Sequence, residues 1–457
     1  MKRTLAAFAQ ACGGQLLGGD RLFNAVSTDT RSIGRDDLFV ALRGERFDGN
    51  AFVSAAQAAG AAAAIVDQPI AAVPQNFPLI RVADSLLALQ QMATAWRASF
   101  ALPVLAVGGS NGKTTVKEML ASILAQAGTT LATRGNLNNH IGVPLTLLRL
   151  SERDRYAVIE MGANRAGDIA QLLGFARPRI GLVTNAGAEH LEGFGSLEGV
   201  AQAEGEMFAG LTSDGIAVMN ADDRYAALWR GMTRAQIMSF GLAPHADVRA
   251  VDVRTLFNVQ GFTTHFVIIA PSGRTEVALK LAGMHNVTNA LGAAAAALAA
   301  GAKLEQVAPG LAQMRPVAGR LQLKSAANGA VIIDDTYNAN PSSMRAAIDV
   351  LATLPGRRWL VIGDMAELGE HAAAGHIEAG QHARAQGIER LLAIGQLASL
   401  SVEAFGAGAQ WFPDADSLTR TLQGELTTDV HLLIKGSRVN RLERVVDVLV
   451  GPARKAG

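Results

Sequence analysis

The stretch Pro103-Val104-Leu105-Ala106-Val107-Gly108-Gly109-Ser110-Asn111-Gly112-Lys113-Thr114-Thr115 is followed by VKEMLASILAQAG over residues 116–128. An apolar run of strand length, a glycine cluster and an amphipathic stretch predict a buried strand, a tight loop and a helix, in that order. Such a loop turns backbone N–H groups toward phosphate oxygens, and the helix dipole adds to the attraction. Lys113 would reach the terminal phosphates and Thr114 could ligate Mg²⁺. The strict phosphate-loop pattern asks for glycine at 107, where Val107 stands, so the loop is one residue short. Gly109, Ser110, Asn111, Gly112, Lys113, Thr114 and Thr115 are therefore read as a phosphate site, with a chance glycine-rich turn as the plainer alternative.

Working outward, YAVIE at 156–160, IGLVT at 180–184 and GIAVM at 215–219 repeat the pattern of a buried strand, a loop and a helix. This predicts a doubly wound parallel sheet around the phosphate loop. Glu160 ends its strand at the loop's edge and is the candidate metal carboxylate. The next strand delivers Asn185 and then Glu189-His190; a lone His is often structural, but this one lies at the mouth of the site. From about 236 to 281 the alternation reads as antiparallel strands, and HNVTNALGAAAAALAA from 285 as a helix. Asn286 and Asn289 share a face of that helix, where two amides could bind an adenine edge or cap the helix.

Residues 1–100 mix short strands with Ala-rich helices and predict a small α/β domain; Ser27, Asp29 and Arg31 form one of its polar loops. From about 316, VIID, WLVIG, RLLAIG and HLLIKG alternate with helices and predict a Rossmann-like parallel sheet. Asp334-Asp335, Gly363-Asp364 and Lys435-Gly436-Ser437-Arg438 all follow apolar strands, so their loops are expected along one edge. Arg320, at the junction, is placed to reach phosphate across a cleft. The whole is α/β with three domains, 1–100, 101–315 and 316–457, in keeping with a length of 457 residues.

Composition excludes more than it assigns. A net charge of +1 gives no field to recruit nucleic acid or an anionic membrane, and no apolar run approaches the roughly 20 residues of a membrane span. The lone Cys12 forms no intramolecular disulfide, and the short, interrupted apolar start is not expected to act as a signal peptide. A cytoplasmic monomer is expected.

Taken in order, GSNGKTT, RGNLNNHIGVPLTLL, EMGAN, NAGAEHLEGFGSLEGV, HNVTNALGAA, AGRLQ, DDTYNANPSSM, GDMAELGE and KGSR resemble the Mur ligase family over nearly the whole chain. The resemblance implies a uridine-nucleotide domain, an ATP domain and an amino-acid domain. Tyr337-Asn338-Ala339-Asn340-Pro341 points to the branch that joins D-alanyl-D-alanine to UDP-N-acetylmuramoyl-tripeptide. That reaction uses ATP and Mg²⁺, passes through an acyl phosphate, and yields the UDP-linked pentapeptide of peptidoglycan synthesis, and hence serves cell shape and division.

By the same resemblance Lys113, Thr114 and Thr115 would meet phosphate and Mg²⁺, with Glu160 and His190 at the metal. Asn286, Asn289, Arg320 and Asp335 would hold the nucleotide. Ser27, Asp29, Arg31, Asn136, Asn138 and Asn139 would face the muramoyl substrate, and Tyr337, Asn338, Asn340, Lys435, Ser437 and Arg438 the dipeptide. One departure stands out. The family's usual carbamylated lysine, which serves a second Mg²⁺, is replaced by Glu204, and no lysine lies between Lys117 and Lys280. Glu204 is expected to supply that negative charge directly, with a solvated helix glutamate as the alternative. Asn50 and Arg165 also stand where histidine is common. No short motif distinguishes a tripeptide ending in diaminopimelate from one ending in lysine. The competing readings are a sibling ligase for a single amino acid and a nucleotide-switched binding protein.

Overall fold

The computed structural model describes residues 3–70, 76–258, 261–314 and 317–451; the expected junction at 315 and 316 lies outside them. The first sheet runs Gln15–Leu17, Leu79–Arg81, Ala63–Val66, Leu38–Val40, Val26–Ser27, parallel except for its first edge strand. Helix Ser85–Arg97 follows, with the Asp84 carboxylate accepting the Leu87 N–H as its cap. That helix leaves the first domain and beds Trp96 into an apolar core shared with Leu147, Leu150 and Leu172 of the next.

The central sheet has nine strands. Thr130–Ala132, Tyr156–Glu160, Val104–Gly108, Ile180–Val183, Ile216–Asn220 and Gln236–Gly241 are parallel neighbours in that order. Val248–Asn258 continues parallel, and only Gly261–Ala270 and Gly273–Leu279 are antiparallel. The antiparallel region was expected from about 236, so Gln236–Gly241 is a correction: its buried Phe240 packs beneath Gly292 of helix Met284–Ala299. From Ala290 to Ala297 that helix buries only alanines besides Leu291 and Gly292, and these small side chains permit close approach to the sheet.

The third sheet runs Gln322–Ser325, Val331–Asp335, Val430–Lys435, Arg357–Gly363, Arg390–Ile394, Ala409–Phe412, all parallel but for the first. Asp335 and Lys435 are register partners, as are Ile362 and Lys435. The three polar loops foreseen from sequence therefore leave adjacent strand ends. Among the described residues no helix is long and apolar enough to cross a membrane.

Candidate active site

The strand Val104–Gly108 is buried throughout and runs into a loop whose two strained positions, 109 and 112, are both glycine. Gly109 has φ +111°, and a Cβ there would fall 2.1 Å from Thr184 Oγ1; Gly112 has φ +86°, with Asn289 Oδ1 at 2.4 Å. The loop is strapped from the neighbouring strand: Ser110 N–H donates to Asn185 O (2.9 Å), Asn111 N–H to Asn185 Oδ1 (3.1 Å), and Thr184 Oγ1 to Asn111 O (2.6 Å). Helix Lys113–Ala125 then starts without a side-chain cap, leaving its first turn of N–H groups for an anion.

Lys113 Nζ donates to Gly109 O at 2.6 Å and Ser110 O at 3.2 Å and pairs with Glu189 Oε1 at 3.0 Å. Burial pulls its pKa down, but Glu189, Glu204 and Glu160 outweigh it and hold the ammonium above its usual value. Glu160 is 1% exposed. Its Oε1 accepts from Thr114 Oγ1 (3.3 Å) and Asn138 Nδ2 (2.9 Å), while its N–H donates to Thr133 Oγ1 (3.0 Å). The other carboxylate oxygen, Oε2, is buried with no partner. An orphaned carboxylate oxygen beside a threonine hydroxyl at a phosphate loop fits a hard divalent cation, which takes oxygen donors.

The expected metal set does not assemble as one group. Among the described residues no three His, Cys, Asp or Glu side chains converge on a common point. Glu204 is 1% exposed, so the solvated alternative fails; its Oε2 accepts the Gly109 N–H at 2.7 Å. Burial, opposed by Lys113, pushes its pKa from 4.5 to about 7. His190 sits at φ +48° and turns its Nδ1 to Glu367 Oε2 of the third domain, 2.6 Å away, with Glu367 itself at φ +62°. Thr114 and Glu160 alone remain side by side.

Two openings flank the loop. A cavity of about 360 Å³ is lined by Thr115, His285, Asn286, Asn289, Arg320 and Asp335. Asn289 Nδ2 donates to Asn286 Oδ1 (3.2 Å), so the pair forms one amide chain rather than a helix cap. Burial pushes His285 down to about 4, making it a neutral wall residue that the sequence reading passed over beside Asn286. Lys435 Nζ reaches Asp335 Oδ2 at 2.6 Å and Asn338 O at 2.9 Å, and burial lowers its pKa. On the other side a groove of about 750 Å³ carries Thr114, Asn136, Tyr337, Asn338, Ser437 and Arg438. The Arg320 guanidinium lies over the Tyr337 ring at 4.4 Å, at the division between the two.

Other expected residues are occupied elsewhere. Asn340 caps helix Pro341–Ala352 through Ser343 N–H and donates from Nδ2 to Asn111 Oδ1 at 2.8 Å, leaving little of it for a substrate. Asn139 accepts from Ile141 and Gly142 N–H groups at a helix start, and Asn138 props Glu160. Ser27 and Asp29 line a third groove, about 1400 Å³, between the first and central domains, whereas Arg31 is spent on an exposed pair with Asp29 at 2.7 Å.

A phosphate loop and a cation-ready carboxylate, flanked by a cavity and a groove shared with the third domain, define a nucleotide-dependent ligase architecture, and the chain belongs to the Mur ligase family. Family models match at residues 23–97 (Mur ligase family, catalytic domain), 107–297 (Mur ligase middle domain) and 319–438 (Mur ligase, glutamate ligase domain). The chain is similar to UDP-N-acetylmuramoyl-tripeptide–D-alanyl-D-alanine ligase of Escherichia coli (strain K12), 43% identical over 450 residues and 98% of each chain. The Bacillus subtilis (strain 168) ligase of that name is 35% identical over 98% of this chain and 99% of its own. Among solved structures, MurF from Acinetobacter baumannii superposes with a TM-score of 0.89 at 36% identity, covering 97% of this chain and 98% of that one. MurF ligase from Thermotoga maritima in complex with ADP gives 0.80 at 27% identity, covering 93% and 97%.

Proposed function

We propose that this ligase joins D-alanyl-D-alanine to UDP-N-acetylmuramoyl-tripeptide at the expense of ATP, in peptidoglycan synthesis. The observation that carries the reading is the phosphate loop's place between two openings: Gly112 and Thr115, on either side of Lys113, line the nucleotide cavity, and Thr114, hydrogen-bonded to Glu160, lines the third-domain groove. A free carboxylate lacks a leaving group, so it must first be activated. The tripeptide carboxylate attacks the γ-phosphoryl group, ADP leaves, and the dipeptide amine displaces phosphate from the acyl phosphate. The protein contributes alignment and charge.

Lys113 exchanges its loop carbonyls for phosphate oxygens and absorbs the charge that develops there. Thr114 and Glu160 would hold Mg²⁺, which supplies Lewis-acid stabilisation of the phosphates when bound. Asn138 and Thr133 keep Glu160 aimed. His190, through Glu367, ties the third domain to the mouth of the site. Glu204 accepts the Gly109 N–H beneath the loop and carries its negative charge above about pH 7. Residues 1–100 would take the uridine nucleotide, 101–315 ATP, and 316–457 the dipeptide, with the enzyme acting as a cytoplasmic monomer. The test is ADP release with tripeptide and dipeptide omitted in turn. Strict dependence on both is expected; release driven by a single amino acid in place of the dipeptide would overturn the assignment.

A further inference from the structure

The groove between the first and central domains contains a charge arrangement that the phosphate-loop chemistry leaves unused. Arg149 is anchored by an Nη1–H bond to Ala132 O at 3.2 Å, at the end of strand Thr130–Ala132. Arg134 follows that strand end and lines the same groove. Its backbone carbonyl accepts the Leu137 N–H at 3.2 Å, but among the described residues its guanidinium makes no hydrogen bond or ion pair. Burial first, and then the charge of Arg134, hold the Arg149 guanidinium below its usual pKa. The carboxylate facing Arg149 is Asp154, whose Oδ2 already accepts from Ser151 N–H (2.8 Å) and Oγ (2.9 Å). Two neighbouring guanidinium groups on a groove wall, one with no partner, are the donor set of an anion site.

Position decides which anion. Thr133, between Ala132 and Arg134, accepts the Glu160 N–H on Oγ1 and Lys117 Nζ on its carbonyl (2.8 Å), so Arg134 leaves from a point locked to the phosphate-loop carboxylate. Asn136, two residues later, lines the reaction groove beside Thr114. The anion at Arg134 thus lies toward the acyl end of the substrate, away from the wall formed by Ser27 and Asp29. The reacting carboxylate must itself reach the phosphate loop, so the group between the arginines is a second carboxylate on the same residue.

We propose that Arg134 and Arg149 form a subsite for the side-chain carboxylate of the acceptor's last residue, selecting a diamino dicarboxylic acid over lysine. This rests on the ligase reading above. The experiment is ADP release, with D-alanyl-D-alanine present, on two UDP-muramoyl-tripeptides ending in diaminopimelate or lysine. The wild-type chain is expected to favour the dicarboxylate by about tenfold or more in kcat/KM, as charge-assisted hydrogen bonds allow. Arg134→Gln, at an exposed position, should cut that ratio several-fold, and R134Q with R149Q should bring it near unity. Equal efficiency of the wild type on both acceptors overturns the subsite and leaves the ligase reading standing. An equal loss on both acceptors in R134Q also overturns it, since the arginines would then be holding the diphosphate that both share. Turnover with neither acceptor overturns the ligase reading and this with it.

Discussion

Where the first domain meets the central one, helix Ser85–Arg97 carries Met92 and Trp96 into a continuous apolar core with Val143, Leu147 and Leu172. Trp96 Nε1–H also donates to Leu150 O (3.0 Å), and Gln90 Nε2 to His140 O (3.1 Å). Where the third domain meets the central one, Phe262 and Ala282 make a small apolar contact. Phe257 adds a ring contact to His431 at 5.2 Å, and around the site the contacts are polar: Asn340 to Asn111, Asn111 to Ser342 (3.0 Å), and His190 to Glu367. Apolar burial fixes a joint, because opening it exposes surface worth roughly 25 cal/mol per Å². Polar contacts around a cavity exchange for water at small net cost and let a joint open. The acceptor groove therefore belongs to the fixed joint, and the chemistry to the movable one.

The largest effect is expected at the fixed joint. Trp96→Ala removes a nearly buried indole and strands the Leu150 carbonyl, and should cost about 3–5 kcal/mol. Urea unfolding followed by far-UV circular dichroism measures it. If the first and central domains share one core, the loss appears as a shift of their common transition; separate unfolding of the first domain would break the comparison.

Next comes Lys113→Met, which leaves both joints intact and should lower kcat by roughly 10²–10³-fold, as for loss of one preorganised charge donor. Unchanged turnover in a steady-state ADP-release assay would place the chemistry elsewhere.

Much of this was legible before folding, for physical reasons. Val104–Gly108 and Tyr156–Glu160 are fully apolar runs ending in functional groups, which is what a doubly wound sheet requires. Gln236–Gly241 was misread because its first half is only partly buried and it precedes true antiparallel strands. The three residues of Thr130–Ala132 are too few for any periodicity, yet they aim both Arg134 and Thr133. The capping role of Asn340 was announced by the proline after it, a helix-start signal that its polar neighbours obscured. His190 meeting Glu367, and Asn111 meeting Ser342, join distant parts of the chain that no local pattern can pair.

Glu204 gives a pH-dependent effect of intermediate size, tied to neither joint. Its folded carboxyl keeps a proton up to about pH 7, whereas the unfolded one releases it near 4.5, so this group's contribution to stability is lost as pH rises through that window. Glu204→Gln keeps an acceptor for Gly109 N–H without ionising. Its stability relative to wild type should therefore rise by about 1–3 kcal/mol between the two pH values, read from urea midpoints of the nucleotide-free chain. Parallel curves would mean that Glu204 stays charged beneath the loop. Because position 204 is a glutamate and offers no amine for carbamylation, added bicarbonate should leave ADP release unchanged.

The smallest effect is the sharpest test of the movable joint. Asn111 uses its backbone N–H and carbonyl on Asn185 and Thr184, which shape the phosphate loop, and its side chain only on Asn340 and Ser342 across the joint. Asn111→Ala should therefore spare the loop and weaken closure by about 1 kcal/mol, the net worth of hydrogen bonds whose partners are rehydrated on opening. Closure brings the third domain's groove to the phosphate loop, so the loss should appear as a roughly fivefold rise in KM for the dipeptide. The urea midpoint should hardly move, because the bonds are made only between folded domains. Ser342→Ala on top of Asn111→Ala should add less than it does alone, as expected of partners in one contact. A midpoint shift as large as that of Trp96→Ala would show that the third domain is held as firmly as the first, and the contrast between the joints would fall.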